Sequence, residues 1–316
     1  KQGKGPAWAN SLFEDNAEFG YGIFLGQKAI REKLIGKLDA LKEVSTTASL
    51  NDAIDAFMAT KDDTKANTAC TEALVAELEK AAKAGCEKSA EILSEKDYLA
   101  KKAVYIFGGD GWSYDIGYGG LDHVLASGED VNIVVFDTEV YSNTGGQSSK
   151  STPTGAVAQF AAAGKTVKKK DLAGIAMSYG YIYVAQVAMG ADYAQTVKAI
   201  AEAEAYHGPS LVICYAPCIN HGIRGGMSIA QTEIKRAVEA GYWNNFRYDP
   251  RLAAEGKNPF QLDSKAPTAD YEAFIKNEVR YSSLERSFPD RAKVLFEKAK
   301  ENAASKYEAL AKRAEK

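Results

Sequence analysis

Cysteine is scarce, with four residues at positions 70, 86, 214 and 218 in a chain of 316. That is too few for a disulfide framework at this length, and it suits a reducing, cytoplasmic setting. Long hydrophobic runs are missing too. No apolar stretch approaches the 18 or so residues of a membrane span, and no signal peptide is visible. Nor is there an excess of one charge. The formal balance of −3 gives no reason to expect a nucleic-acid or membrane partner. Internal repeats and low-complexity tracts are absent. The opening Lys1-Gln-Gly-Lys-Gly-Pro-Ala-Trp8 lacks an initiator Met and does not read as the start of a domain, so a longer polypeptide is expected. What the chain does have is 46% hydrophobic residues, enough to bury a substantial core as one large domain or two, and an ordinary 26% of charged residues.

Three textures follow one another. Residues 1–100 are helical in pattern: Ile30, Leu34, Leu38 and Leu41 share one helical face, and Cys70, Leu74, Leu78 and Ala81 another, with Lys and Glu opposite. Residues 101–243 alternate short apolar strands (Val104–Phe107, Val131–Phe136, Tyr181–Val187, Leu211–Tyr215) with helical stretches (Tyr114–Ala126, Asp171–Ser178, Tyr193–Tyr206). That alternation predicts an α/β core with a parallel sheet and helices on both faces. The Ser/Thr/Gly-rich stretch Ser142–Thr154 reads as a functional loop. Residues 244–316 carry Pro250, Pro259, Pro267 and Pro289, little sheet character, and a charged terminal helix over Arg291–Ala314 with a largely solvated face.

The chemistry concentrates where two strands end. Ile106-Phe-Gly-Gly-Asp-Gly-Trp112 and Phe136-Asp-Thr-Glu-Val-Tyr-Ser-Asn143 are each an apolar run breaking into a loop, about one βαβ unit apart. At the C-terminal edge of a parallel sheet, the Asp110 carboxylate, the Thr138 hydroxyl and the Val140 carbonyl offer hard oxygens to Mg²⁺. Free amides after Gly111 and near Ser142–Thr144 then suit a diphosphate. Taken alone, Gly108-Gly-Asp-Gly111 also reads as a tight turn with positive-φ glycines and a capping Asp. A dinucleotide fingerprint fails, because the third glycine would fall on Tyr114.

Other segments carry less. Gln159-Phe-Ala-Ala-Ala-Gly-Lys-Thr166 is one residue short of a phosphate-binding P-loop and has no clear strand before it. Lys168-Lys-Lys170 reads as a solvated or interface patch. Cys214 lies in an apolar run and reads as a buried small hydrophobe. Cys218 stands just past that strand, at the same sheet edge; an incidental thiol and a metal or cluster ligand both fit it. His221 reads as a hydrogen-bonded loop residue, with ligand or acid/base roles open, and Arg224 as an anion contact.

Gly109-Asp-Gly-Trp112 with Tyr114-Asp-Ile-Gly117, Val140-Tyr-Ser-Asn-Thr-Gly-Gly-Gln147, Tyr215-Ala-Pro-Cys-Ile219 with Gly222, and the opening Gly5–Asn16 together resemble the pyruvate:ferredoxin (flavodoxin) oxidoreductases. The likeness is to the C-terminal thiamine-diphosphate-binding portion of the single-chain enzyme, and it runs over nearly the whole chain. It implies that Asp110, Thr138 and the Val140 carbonyl bind Mg²⁺. Gly109, Asp110, Gly111 and Trp112, with Thr138, Glu139, Val140, Tyr141, Ser142 and Asn143, would surround thiamine diphosphate, Asn143 lying at the reacting end as the catalytic residue. Cys218 would be one ligand of a proximal 4Fe-4S cluster. The other cluster cysteines and the ring-activating glutamate would lie on remaining domains of the same polypeptide. The implied reaction is oxidative decarboxylation of pyruvate with coenzyme A, electrons leaving to ferredoxin or flavodoxin, in a homodimer. A non-redox thiamine-dependent decarboxylase or synthase, and a cofactor-binding or dimerisation module inactive in isolation, are the alternative expectations.

Overall fold

The computed structural model describes residues 7–11 and 14–315. Residues 5, 6, 12 and 13 of the opening Gly5–Asn16 segment therefore lie outside the described residues. The chain divides into two compact units. One is Gly20–Val104, and the other joins the residues before Gly20 to those from Tyr105 onward.

Four helices occupy the first stretch: α1 (Asn16–Lys42), α2 (Ala48–Thr60), α3 (Thr64–Lys83) and α4 (Glu87–Ser94). The helical periodicity is real. Leu34, Leu38 and Leu41 meet Leu50, Ile54 and Phe57, Leu74 and Leu78, and Ile92 in one apolar cluster, with Ile30 and Ala81 packed against it. Asp63 starts α3 by accepting from the amides of Lys65 and Ala66, meeting two of the donors a helix N-terminus leaves over. Arg31 closes the unit by donating to the Leu99 and Lys61 carbonyls at 2.8 and 2.7 Å.

The second unit is built on β1 (Tyr105–Gly109), α5 (Tyr118–Ala126), β2 (Asn132–Asp137), α6 (Leu172–Met177), β3 (Tyr183–Val187), α7 (Tyr193–Glu204) and β4 (Ser210–Tyr215). It continues through α8 (Ala230–Glu239), β5 (Phe246–Tyr248), α9 (Pro250–Ala254), β6 (Phe260–Leu262), α10 (Tyr271–Ile275), α11 (Val279–Ser287) and α12 (Pro289–Ala314). The six strands form one sheet in the order β1-β2-β4-β3-β5-β6. The first four in that order are mutually parallel, as expected of helix-separated apolar strands. β3 is buried throughout and β2 and β4 nearly so, which explains their continuous apolar runs.

Two expectations need correction. Beyond Trp243 there is sheet after all: β5 adds antiparallel to β3, and β6 antiparallel to β5. They are only three residues each and carry Arg247, Tyr248 and Gln261, so no apolar run betrays them. The terminal helix is also less solvated than its composition suggests, because Ala292, Leu295, Phe296, Ala299 and Leu310 form a buried stripe.

Register places the functional loops. β1 pairs with β2 so that Gly109 faces Phe136, and β2 pairs with β4 so that Asp137 faces Tyr215. The strands are parallel, so the loops that begin at Asp110, Thr138 and Ala216 leave from one sheet edge. The described part of the opening segment packs on β1: Asn16 Nδ2 donates to the Phe107 carbonyl at 3.0 Å, and the Trp8 and Phe107 ring centroids are 5.8 Å apart. No helix among the described residues is long and apolar enough to cross a membrane.

Leu38 is fully buried in the helical unit. Leu38→Ala should lower the unfolding free energy of that unit by about 2–5 kcal/mol through lost burial and a cavity, read by hydrogen exchange of its amides. Unchanged protection would mean that the cluster does not hold the unit together.

Candidate functional site

Asp110 and Thr138 meet as the strand register requires. Thr138 Oγ1 donates to Asp110 Oδ1 at 2.7 Å and lies 3.0 Å from the Val140 carbonyl oxygen and 3.1 Å from Ser142 Oγ. Oxygens on adjacent corners of an octahedron with Mg–O bonds near 2.1 Å are about 3.0 Å apart. Asp110 Oδ1 and the Val140 carbonyl oxygen thus each stand from Thr138 Oγ1 at about the spacing of neighbouring Mg²⁺ ligands. Asp110 is 1% exposed and, among the described residues, has no cation in contact; its second oxygen accepts from Ser149 Oγ at 2.5 Å. Burial first, and the neighbouring Asp137 second, push its carboxyl up to about 7. A buried carboxylate beside another, partnered only by hydroxyls, is a setting that a cation relieves. Among the described residues, no group of three or more His, Cys, Asp or Glu could hold a metal ion. A site drawing on one carboxylate, one hydroxyl and one carbonyl needs no such group.

The glycines act through close approach, not unusual dihedrals. Gly108, Gly109 and Gly111 are absent from the positive-φ positions, and Asp110 is right-handed helical without capping by its side chain, which corrects the turn expectation. A Cβ on Gly108 would sit 2.1 Å from the Trp112 ring, and one on Gly111 would sit 2.4 Å from the Tyr141 ring. The chain then enters a π-helical turn over Gly111–Ile116 before α5, with Trp112, Ser113 and Tyr114 buried.

Glu139 carries the strain. It is a non-glycine residue at φ +59, a conformation that costs on the order of 1–3 kcal/mol unless surrounding contacts impose it. Its carboxylate turns inward, meeting Lys169 Nζ at 2.9 Å, Arg280 Nη2 at 2.8 Å and the Tyr242 hydroxyl at 2.5 Å. Burial would raise its pKa, but Lys169, Arg280 and His221 outweigh burial and bring the carboxyl down to about 2. Asp137, fully buried, accepts from Tyr114 at 2.8 Å and pairs with Lys169 at 2.7 Å. Lys169 is therefore a core counterion, and the solvated-patch reading of Lys168–Lys170 is wrong for it. Lys170 is engaged as well, with its ammonium 3.0 Å from the Tyr118 ring centroid and 3.1 Å from the Tyr114 carbonyl.

Beyond Val140 the loop opens outward. Ser142 and Asn143 are exposed, and among the described residues the amides of Ser142–Gly145 donate to no other group. Such a run of free N–H groups is an anion-binding feature. Tyr141 is held by backbone exchange with Gln147 and Gly146. The P-loop rival is excluded: Lys165 donates to the Ser149 carbonyl, no strand leads into the segment, and no helix starts at its end.

The loop after β4 closes the same edge. Cys218 is 7% exposed, and its Sγ accepts from the backbone and side-chain amides of Asn220, each at 3.5 Å. Asn220 in turn packs so closely on Gly146 that a Cβ there would lie 2.9 Å away. Cys214 stays within the sheet, where burial pushes its thiol up to about 12. His221 is a buried, hydrogen-bonded loop residue, with Nε2 2.8 Å from the Thr138 carbonyl oxygen. Arg224 points its side chain outward, its backbone amide bonding the Asn277 carbonyl. Sequence reasoning missed Asp137, Ser149, Lys169 and Arg280. Of these only Asp137, an acid ending an apolar strand, carried a local signal.

Known proteins share much of this sequence. The family described as "Thiamine pyrophosphate enzyme, C-terminal TPP binding domain" matches residues 81–214. The chain is 54% identical over 319 residues to the pyruvate:ferredoxin oxidoreductase of Moorella thermoacetica, covering 100% of this chain and 27% of that protein. It is 55% identical over 306 residues to the pyruvate-flavodoxin oxidoreductase of Klebsiella pneumoniae, covering 97% of this chain and 26% of that one. To the mitochondrial pyruvate dehydrogenase [NADP(+)] of Euglena gracilis it is 44% identical over 312 residues, 97% of this chain and 17% of the relative. The chain thus spans about a quarter of the length of the first two relatives. Over nearly every residue the chain is thus similar to one portion of pyruvate:ferredoxin and pyruvate-flavodoxin oxidoreductases, and residues 81–214 match the thiamine pyrophosphate-binding domain.

Proposed function

We propose that this chain binds the Mg²⁺–diphosphate end of thiamine diphosphate and that, within the full-length protein, it serves the coenzyme A-dependent oxidative decarboxylation of pyruvate to acetyl-CoA and CO₂. The observation that carries the reading is the cluster of Asp110 Oδ1 and the Val140 carbonyl oxygen around Thr138 Oγ1, at 2.7 and 3.0 Å.

Thiamine diphosphate, when bound, supplies a carbon nucleophile and electron sink for a 2-oxoacid, and a 4Fe-4S cluster supplies an acceptor for single electrons. Asp110, Thr138 and the Val140 carbonyl would hold Mg²⁺, and Ser149 would orient Asp110 from behind. The free amides of Ser142–Gly145 would take the diphosphate oxygens, with Gly109, Gly111, Trp112 and Tyr141 shaping the walls. Glu139 contributes by holding the turn, since its carboxylate is committed to Lys169, Arg280 and Tyr242. Exposed Asn143 would meet the substrate at the reacting end. Cys218 would ligate the proximal cluster. The amides of Asn220 on its sulfur suit a thiolate, since hydrogen bonds to sulfur stabilise its negative charge. Three further cluster ligands, the ring-activating acid and the docking of ferredoxin or flavodoxin would come from other domains, in a homodimer. A reducing, cytoplasmic setting belongs to the same reading.

Three outcomes are expected. Asp110→Ala in the full-length protein should abolish Mg²⁺-dependent retention of thiamine diphosphate in equilibrium dialysis, a larger loss than the roughly 10–100-fold typical of groups behind the ligands. Tight retention would refute the metal assignment. Cys218→Ser should erase the proximal cluster's EPR signal while thiamine diphosphate stays bound, and an unaltered spectrum would remove Cys218 from the cluster. The isolated chain should not oxidise pyruvate in an anaerobic assay; turnover would show that the division of labour among domains is misassigned.

A further inference from the structure

We propose that His221 is a positioning residue for the metal loop. It fixes the peptide between Thr138 and Glu139 so that the Thr138 hydroxyl and Val140 carbonyl converge on Asp110. This rests on the reading of Asp110, Thr138 and Val140 as the Mg²⁺ site.

Geometry carries the inference. The His221 side chain is fully buried, and its Nε2 lies 2.8 Å from the Thr138 carbonyl oxygen, across 83 positions of chain. A carbonyl only accepts, so Nε2 bears the hydrogen. The bond falls on the carbonyl of the residue that supplies the hydroxyl ligand, immediately before the left-handed residue Glu139. Rotation of that peptide would re-aim both Thr138 and Val140, and the imidazole opposes it from one side while the Glu139 ion pairs oppose it from the other. Removing either leaves the turn held at one end only.

The imidazole is itself held. Its Nδ1 faces Glu278 Oε1 at 3.6 Å, and neither atom has another partner; an approach of roughly half an ångström would complete a hydrogen bond. Glu278 is placed by backbone pairing. The amide of Val279 donates to the Gly222 carbonyl at 2.9 Å, and that of Arg224 to the Asn277 carbonyl at 3.0 Å. Arg280 then bonds both Glu278, at 2.6 Å, and Glu139, at 2.8 Å. The arrangement is a closed ring of contacts, from the Thr138 carbonyl through His221, Glu278 and Arg280 back to Glu139, the next residue. Such a ring fixes one peptide plane, and its four side chains are all buried.

The test compares His221→Gln, His221→Asn and His221→Leu in the full-length protein. The readouts are the Mg²⁺ concentration giving half-maximal retention of thiamine diphosphate and the unfolding midpoint of the metal-free protein. A Gln amide can reach the Thr138 carbonyl, an Asn amide is one carbon short, and Leu has no donor. We expect Leu and Asn to raise the Mg²⁺ requirement by about 10–100-fold, the cost typical of groups that orient metal ligands, with Gln close to wild type. Should Leu fail to fold, the Gln–Asn contrast carries the same information. Three variants indistinguishable from wild type, or three equally impaired in both Mg²⁺ requirement and midpoint, would overturn the positioning role. Asp110→Ala run in parallel separates the two levels. If it retains the cofactor, the metal assignment has failed; if it loses the cofactor while the His221 series is flat, only the present inference has.

Discussion

One strained residue organises the active edge. Glu139 sits at φ +59, and that conformation lets the chain place the Thr138 hydroxyl and the Val140 carbonyl on the same side, toward Asp110. Nothing local favours it. The turn persists because the buried Glu139 carboxylate is anchored by Lys169 and Arg280, and breaking one partner of a buried pair costs about 3–5 kcal/mol. That exceeds the roughly 1–3 kcal/mol of backbone strain, so the ion pairs decide the geometry. The buried charges are better understood as a clamp on this turn than as general stabilisation of the fold.

The clamp explains why residues far from the chemistry converge there. Arg280 reaches Glu139 from a distance of 141 positions, at the start of α11. Lys169 arrives from the stretch before α6 and pairs Asp137 with Glu139. α11 packs on α12, where the Tyr281 and Phe296 ring centroids are 6.0 Å apart. The segment beyond Trp243 thus supports the proposed metal loop through packed side chains, and sequence remoteness does not mean mechanical independence.

Much of this was legible beforehand, and the limits have physical causes. β1 to β4 could be read because parallel strands buried on both sides must be continuously apolar, and the loops after β1 and β2 could be paired because parallel register puts them at one edge. β5 and β6 could not, since a three-residue strand containing Arg247 has no periodicity to detect. Lys169 was misread because a lysine run looks the same whether its counterions lie in solvent or in Asp137 and Glu139. The Gly108 and Gly111 positions were recognised but explained wrongly. Their need is for clearance against Trp112 and Tyr141, which depends on where distant rings pack. His221 showed only as a loop histidine, and its bond to Thr138 exists in three dimensions alone.

The most direct measurement is a crystal structure of the full-length protein grown with thiamine diphosphate and Mn²⁺, with anomalous scattering locating the metal. One peak is expected at about 2.1–2.2 Å from Asp110 Oδ1, Thr138 Oγ1 and the Val140 carbonyl oxygen together, with diphosphate oxygens completing the shell. A bound cation elsewhere, with Asp110 still engaged only by the Thr138 and Ser149 hydroxyls, would contradict it.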